Sequence, residues 1–342
     1  MKGGEEQGKI NLRLPKSQGK RRAKATGRPL DFALPLSYAA SVATKSRVIM
    51  VRSNRILNRG GEVDEEALQA VVDLALPRLV DAPSPAAAWG FLFTSRQTVG
   101  VKVNCIGGRL LSPSPRWVPV LVRGLKQAGL EEERIIFWDR SSRELREAGF
   151  PICQEGAGVR CFGTDASGAG YGPEPMQNGS YAGLVSRILT HLTSAQIDLC
   201  LLKDHNLSGL SGALKNLYGA IHNPNKYHDH HCDPYLADLY GLPSFRQKFR
   251  LFICEAVRVQ YHGGPGFKPR WVEDYCSILF SLDPVALDYV SWQLLDRIRR
   301  AHGLPTLEEE GRPPTYILTA GDAAHRLGRC SWSEIELMEL SA

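Results

Sequence analysis

Hydrophobic and polar positions along this chain follow two rhythms, and the changes from one to the other outline the fold. Short apolar runs rich in β-branched and aromatic residues predict buried strands at Val48–Val51, Thr98–Asn104, Ile135–Trp138, Ile197–Leu202, Leu251–Val259 and Ile278–Leu282. Between them, apolar residues recur at helical spacing over Val63–Leu79 and Pro115–Ala128, with Gly129 as a stop signal after the second. Helices are also predicted over Tyr181–Thr193 and over Pro284–Arg299, the latter opened by Asp283 as N-cap with proline at the first helical position. Residues 163–180, dense in Gly, Ser, Pro and Asn, read as a long loop.

Strand, helix, strand in steps of about thirty residues is the pattern of right-handed βαβ units. The expectation is an α/β fold: mostly parallel sheets built from βαβ units, with helices on both faces, in two lobes. Residues 46–200 would form the first lobe and 201–342 a second that carries the candidate site, after a basic tail or leader over 1–45. No internal repeat is visible. Sheets of this kind bind ligands at the carboxyl ends of their strands, which directs attention to the residues just after each apolar run.

Composition narrows the classes. With 43% hydrophobic and 23% charged residues the 342-residue chain has a globular balance, not that of a disordered one. No apolar run approaches the roughly 18–20 residues that span a bilayer. The net charge of +6 is concentrated at one end. Residues 1–47 hold eleven Lys or Arg against three Asp or Glu, a balance of +8, so the rest carries about −2. A nucleic-acid groove would place its charge on folded elements, so no nucleic-acid partner is expected. Arg21-Arg22, the weakly apolar stretch Phe32–Val42 and the small residues Ser41-Val42-Ala43 resemble a twin-arginine export leader; a plain basic tail on a cytoplasmic protein is the alternative. None of the eight cysteines is spaced as CxxC, which leaves zinc ribbons, redox pairs and iron–sulfur electron transfer without their usual signature.

The stretch His205 to Asp233 gathers most of the candidate chemistry, with five of the nine histidines between 205 and 231. Gly209 and Gly212 allow close backbone approach to a ligand, and a helix starting near Ser211 would aim its positive end at an anion there. Lys215, one turn on, can pair with phosphate or act as a nucleophile once desolvated; a solvated helix lysine is the plain alternative. Leu214 in front of it excludes a P-loop. Gly209, Ser211, Gly212, Lys215 and Asn216 are therefore candidates for holding a cofactor, and His205 and Lys215 for catalysis. His228, His231 and Cys232 are candidates for a transition metal such as nickel or zinc, with His230 beside them. A solvated polar loop accounts for the later histidines equally well. Glu255, His262-Gly-Gly-Pro265 and Asp283 form a weaker group, and Asn104 and Asp139, at two strand ends, could face the same crevice.

The runs VGVKVNCIGG (99–108), FWDRSSREL (137–145), LLKDHNLSGLSGALKNLYGAIHNPNKYHDHHCDPYLADL (201–239), GGP (263–265) and SLDPVALD (281–288) resemble the family known as domain of unknown function 362. The resemblance covers residues 46 to 330 and implies an α/β fold without an established reaction. Many members resemble exported proteins with twin-arginine leaders, and some carry a ferredoxin-type cysteine run that this chain lacks. The segment His205-x3-Gly209-Leu-Ser-Gly212-x2-Lys215 is also similar to that of lactate racemase and its relatives, which use a nickel-pincer nucleotide. That likeness implies an acid/base role for His205, a covalently bound metal-nucleotide cofactor on Lys215, and a nickel ligand among His228, His230 and His231. Asp139-Arg140 stands where those enzymes would have their second histidine, and Asn104-Cys-Ile-Gly-Gly-Arg109 replaces their phosphate loop. The resulting expectation is a metal- or cofactor-dependent enzyme moving a proton or hydride on a small anionic oxyacid; a non-catalytic anion- or metal-binding protein is the alternative.

Overall fold

The structure, a computed structural model, describes Met1 and residues 45–342, so the basic tail and leader-like segment lie outside the described residues. Eleven strands form in chain order: β1 (Ser46–Arg52), β2 (Val99–Lys102), β3 (Ile135–Asp139), β4 (Arg160–Gly163), β5 (Met176–Asn178), β6 (Tyr181–Gly183), β7 (Ala195–His205), β8 (Gly209–Ser211), β9 (Phe249–Gln260), β10 (Val272–Ser281) and β11 (Ile335–Ser341). Nine belong to one sheet ordered β11-β1-β10-β9-β7-β2-β3-β4, with β8 hairpinned onto β7; β5 and β6 pair separately. β9, β7, β2, β3 and β4 run parallel, while β10 is antiparallel to both β9 and β1. The fold is thus α/β, on a mostly parallel sheet.

The central strand β7 is buried along its whole length, and its side chains alternate between two cores. Ile197 and Leu199 join a core with the helices Glu65–Leu79, Pro85–Leu92 and Trp117–Gln127, whereas Cys200 and Leu202 join one with Tyr235–Gly241 and Pro284–Ala301. Helices therefore cover both faces, and period-two alternation with no polar side is the mark of such a doubly covered strand. The lobe boundary expected at 200/201 falls inside β7, and residues on both sides of it supply strands to the same sheet.

The helices start where local chemistry predicts. Asp283 accepts hydrogen bonds from the N–H groups of Val285 and Ala286 as N-cap of Pro284–Ala301, and Asp64 caps Glu65–Leu79. The predicted Tyr181–Thr193 helix does not form: Tyr181–Gly183 pairs as β6 and only Ile188–Leu192 makes one turn, of π type. Its apolar residues Tyr181, Val185, Ile188 and Leu189 are all buried in one core, so tertiary burial and not helical repetition explains their spacing. The 163–180 loop likewise contains β5.

Chain order along the sheet sets the place for a ligand. From β2 the chain steps outward through β3 to β4, then returns to the other side of β2 as β7 and steps the opposite way to β9. The reversal leaves a crevice between the carboxyl ends of β2 and β7, the topological switch point at which open α/β sheets bind.

Glu255 lies inside β9 and is 4% exposed. It accepts hydrogen bonds from Trp117 Nε1 and from the Ser114 N–H at 3.2 Å, yet burial pushes its carboxyl up from 4.5 to about 7. The folded protein then holds a proton that the unfolded chain has released between those values, so this group's contribution to stability falls as pH rises from about 4.5 to 7. Glu255→Gln keeps an acceptor and removes the titration. Its urea midpoint relative to wild type is expected to increase between pH 5 and pH 8; a difference independent of pH would refute the assignment.

Candidate functional site

A cleft of about 430 Å³ opens at the crevice between β2 and β7. Lys102 reaches it from β2 and Asn104 from just beyond that strand, Asp139 from the end of β3 and Arg140 from the residue after it, Lys203 and His205 from β7, and Ser211, Lys215, Asn216 and Tyr218 from the segment after β7. His228 closes one side. The structure thus brings together His205, Ser211, Lys215, Asn216 and His228 from the expected set, along with Asn104 and Asp139. Gly209, Gly212, His231 and Cys232 do not line the cleft.

The two glycines serve the protein's own packing. A Cβ on Gly212 would overlap the Asp288 carboxylate, and one on Gly209, where φ is +72°, would overlap the Arg312 carbonyl. Asp288, fully buried on the helix Pro284–Ala301, reaches past Gly212 to accept from the N–H groups of Ala213 (2.6 Å) and Leu214 (2.9 Å). It thereby occupies the helix start at which an external anion was expected. The helix itself is short, Ala213–Asn216, and passes into a 3₁₀ turn over Leu217–Ala220. Gly212→Ala is expected to lower stability by roughly 1–3 kcal/mol, because displacing Asp288 leaves two buried N–H groups unmet; denaturant melting checks this, and an unchanged midpoint would contradict it.

Lys215 is held by that anchored helix. Its Nζ lies 3.0 Å from Nε2 of His228 and 4.4 Å above the Tyr218 ring. His228 Nδ1 is 3.0 Å from the Pro224 carbonyl, which only accepts, so the imidazole proton sits on Nδ1 and Nε2 offers a lone pair to the lysine. Burial lowers the Lys215 amine to about 8, and burial reinforced by Lys215 lowers His228 to about 4. At neutral pH the pair is a lysine donating to a neutral imidazole.

His205 stacks near His228, ring centroids 5.7 Å apart, but has the opposite tautomer. Its Nδ1 accepts from the N–H groups of Leu207 (3.2 Å) and Ser208 (3.3 Å), which places the ring proton on Nε2. Burial, with Lys215 as the next cause, holds the ring far below its usual range. At neutral pH His205 is therefore neutral, with its Nε2–H available as a hydrogen-bond donor. Arg312 fixes its backbone, donating to the His205 carbonyl at 3.1 Å while bonding Asp204 at 2.6 Å.

Lys203 is the residue that sequence reasoning passed over. It is 1% exposed, and its Nζ has no hydrogen-bond partner among the described residues. Burial, then the nearby Lys215 charge, lowers it to about 8. The other cleft charges are matched: Lys102 Nζ pairs with Asp139 at 2.7 Å, and Arg140 pairs with Glu144 at 3.0 Å. Asn216 is occupied inside the protein, bridging Lys102 (3.0 Å) and Asp198 (2.9 Å). Lys203 and Lys215 are left without a carboxylate. A lysine at the end of the apolar run Leu199-Cys-Leu-Leu202 was the signal available in the sequence.

The expected metal ligands do not converge. His231 turns its Nδ1 to the Leu207 carbonyl at 2.8 Å from a left-handed backbone position, Cys232 is buried in the core, and His228 spends its lone pair on Lys215. Among the described residues no group of three or more His, Cys, Asp or Glu side chains is placed to hold a metal ion. These side chains therefore do not form a bare nickel or zinc centre by themselves, whereas two buried lysines without a carboxylate fit an anion.

Replacing the unpaired buried cation by an apolar side chain of similar length removes a desolvation cost. Lys203→Met is expected to raise the denaturation midpoint of the ligand-free protein; a lower midpoint would show that Lys203 is satisfied in a way this geometry does not display.

The family model described as domain of unknown function (DUF362) matches residues 99–293, and the chain belongs to that family. No curated protein sequence matches it. Among solved structures, a protein from Thermotoga maritima is similar at 12% identity and a TM-score of 0.42, over 71% of this chain and 60% of that one. The lactate racemase apoprotein from Thermoanaerobacterium thermosaccharolyticum is similar at 9% identity and a TM-score of 0.44, over 73% of this chain and 57% of that one. The aligned part is thus less than two thirds of either structure's length. Among the described residues no helix is long and apolar enough to cross a membrane.

Proposed function

We propose that this DUF362 protein is an enzyme that binds a small oxyacid anion in the cleft and moves a proton on it, with Lys215 as the base. One observation supports this above all. A lysine lowered to about 8 is oriented by an imidazole lone pair at 3.0 Å, beside a second buried cation, Lys203, that has no partner. Lys203 would hold the oxyacid's carboxylate, and the Nε2–H of His205 would donate to the oxygen on which charge develops. Neutral Lys215 would take a proton from carbon; the electron pair left behind would pass into the carboxylate or carbonyl oxygen, and return of the proton would complete the cycle. A hydrogen pointed at His228 Nε2 fixes the amine and turns its lone pair elsewhere. Lys215, oriented by His228, and the Nε2–H of His205 supply the groups that a proton transfer needs. A nickel-pincer nucleotide on Lys215 and export of the protein are not needed by this reading.

The pH dependence follows from two lysines with values near 8. Proton abstraction needs Lys215 unprotonated and rises through about pH 8, whereas anion binding needs Lys203 charged and falls above it. Incubation in D₂O with a panel of 2-hydroxy and 2-keto acids should give deuterium incorporation at carbon, read by mass spectrometry, in a narrow bell around pH 8. Lys215→Gln should abolish exchange while retaining anion binding, and Lys203→Met should weaken binding roughly tenfold to a hundredfold, the span of one charged hydrogen bond. Binding without exchange across the whole panel would favour a non-catalytic anion-binding protein instead.

A further inference from the structure

The outer part of the cleft has a different character from its floor. Ile106 is 60% exposed and Leu207 48%, and both line the same cleft as Lys203 and Lys215. Single exposed apolar residues are ordinary on a protein surface. These two come from separate loops, one following β2 and the other following β7, and meet at one opening; Leu110, on the same loop as Ile106, is 56% exposed. Pro224 and Pro265 extend the uncharged lining. A volume of about 430 Å³ falls in the roughly 300–1,000 Å³ range of sites for drug-sized ligands, more than a three-carbon acid would fill.

We infer that the ligand is an amphipathic acid, its carboxylate at Lys203, its reacting carbon beside Lys215 and an apolar chain lying along Ile106 and Leu207, an inference that rests on the anion site proposed above. The occupant is set by continuity: the apolar wall and the unmatched cations belong to one cavity, so one molecule with a charged head and an apolar tail satisfies both. A dedicated protein partner would cover the loops without entering between the lysines.

Calorimetric titration with 2-hydroxybutanoate, 2-hydroxyhexanoate and 2-hydroxyoctanoate, below their aggregation concentrations, tests this. Affinity should rise roughly fourfold per added methylene, the gain for burying one CH₂. In the double variant Ile106→Ser/Leu207→Ser, with thermal melting used to confirm folding, that dependence on chain length should flatten. In Lys203→Met every member should weaken by a similar factor with the slope retained. Equal affinity across the series in wild type would overturn the apolar-tail inference while leaving the anion site standing. Retention of the full slope in the double variant would overturn the assignment to these two residues. Failure of every acid to bind would remove the anion site and this inference together.

Discussion

Lys203 and Lys215 bring two positive charges to one cleft floor, and neither finds a carboxylate there, although Lys102 and Arg140 in the same cleft each have one. Both amines respond by falling to about 8, so the protein keeps them close to losing their protons. A buried cation without a partner lowers stability in the absence of ligand, and its retention makes sense where an anion completes the site. The proposed anion site and the availability of a basic amine both follow from this one imbalance, in a cleft whose position the strand order sets.

The surrounding structure keeps the two charges in place. Lys203 is fixed by β7, the strand shared by both cores. Lys215 is fixed from behind by Asp288, which ties the start of its short helix to the long helix Pro284–Ala301. Tautomers divide the work of the two imidazoles. Backbone donors make His205 a donor into the cleft, while a backbone acceptor leaves His228 a lone pair for Lys215. Neither role can be assigned from histidine content; each is set by which backbone group the Nδ1 atom meets.

Much of this was legible in the sequence. The apolar runs located the six main strands, Asp283 marked a helix start, and the residues just after Leu202 were identified as the place for chemistry because parallel sheets bind ligands at their carboxyl ends. The block from His205 to His228 contained Lys215 and the histidine that orients it, but not Lys203. The Tyr181–Thr193 segment misled because residues buried by tertiary packing can imitate helical spacing.

The sequence by itself determined the α/β class, the positions of six of the eleven described strands and the neighbourhood of the candidate site, since these depend on local periodicity and turn chemistry. Only the tertiary structure decided which polar residues remain free. Gly209, Gly212 and Asn216 looked like ligand contacts but are taken up by Arg312, Asp288, Lys102 and Asp198, partners up to 114 residues away for Asn216. His231 and Cys232, close to His228 along the chain, face elsewhere because the backbone between them turns left-handed. Lys203 looked like an ordinary strand-end lysine; the structure shows it buried, with no hydrogen-bond partner among the described residues. Whether a charge is matched depends on contacts between distant segments, and no local pattern encodes that.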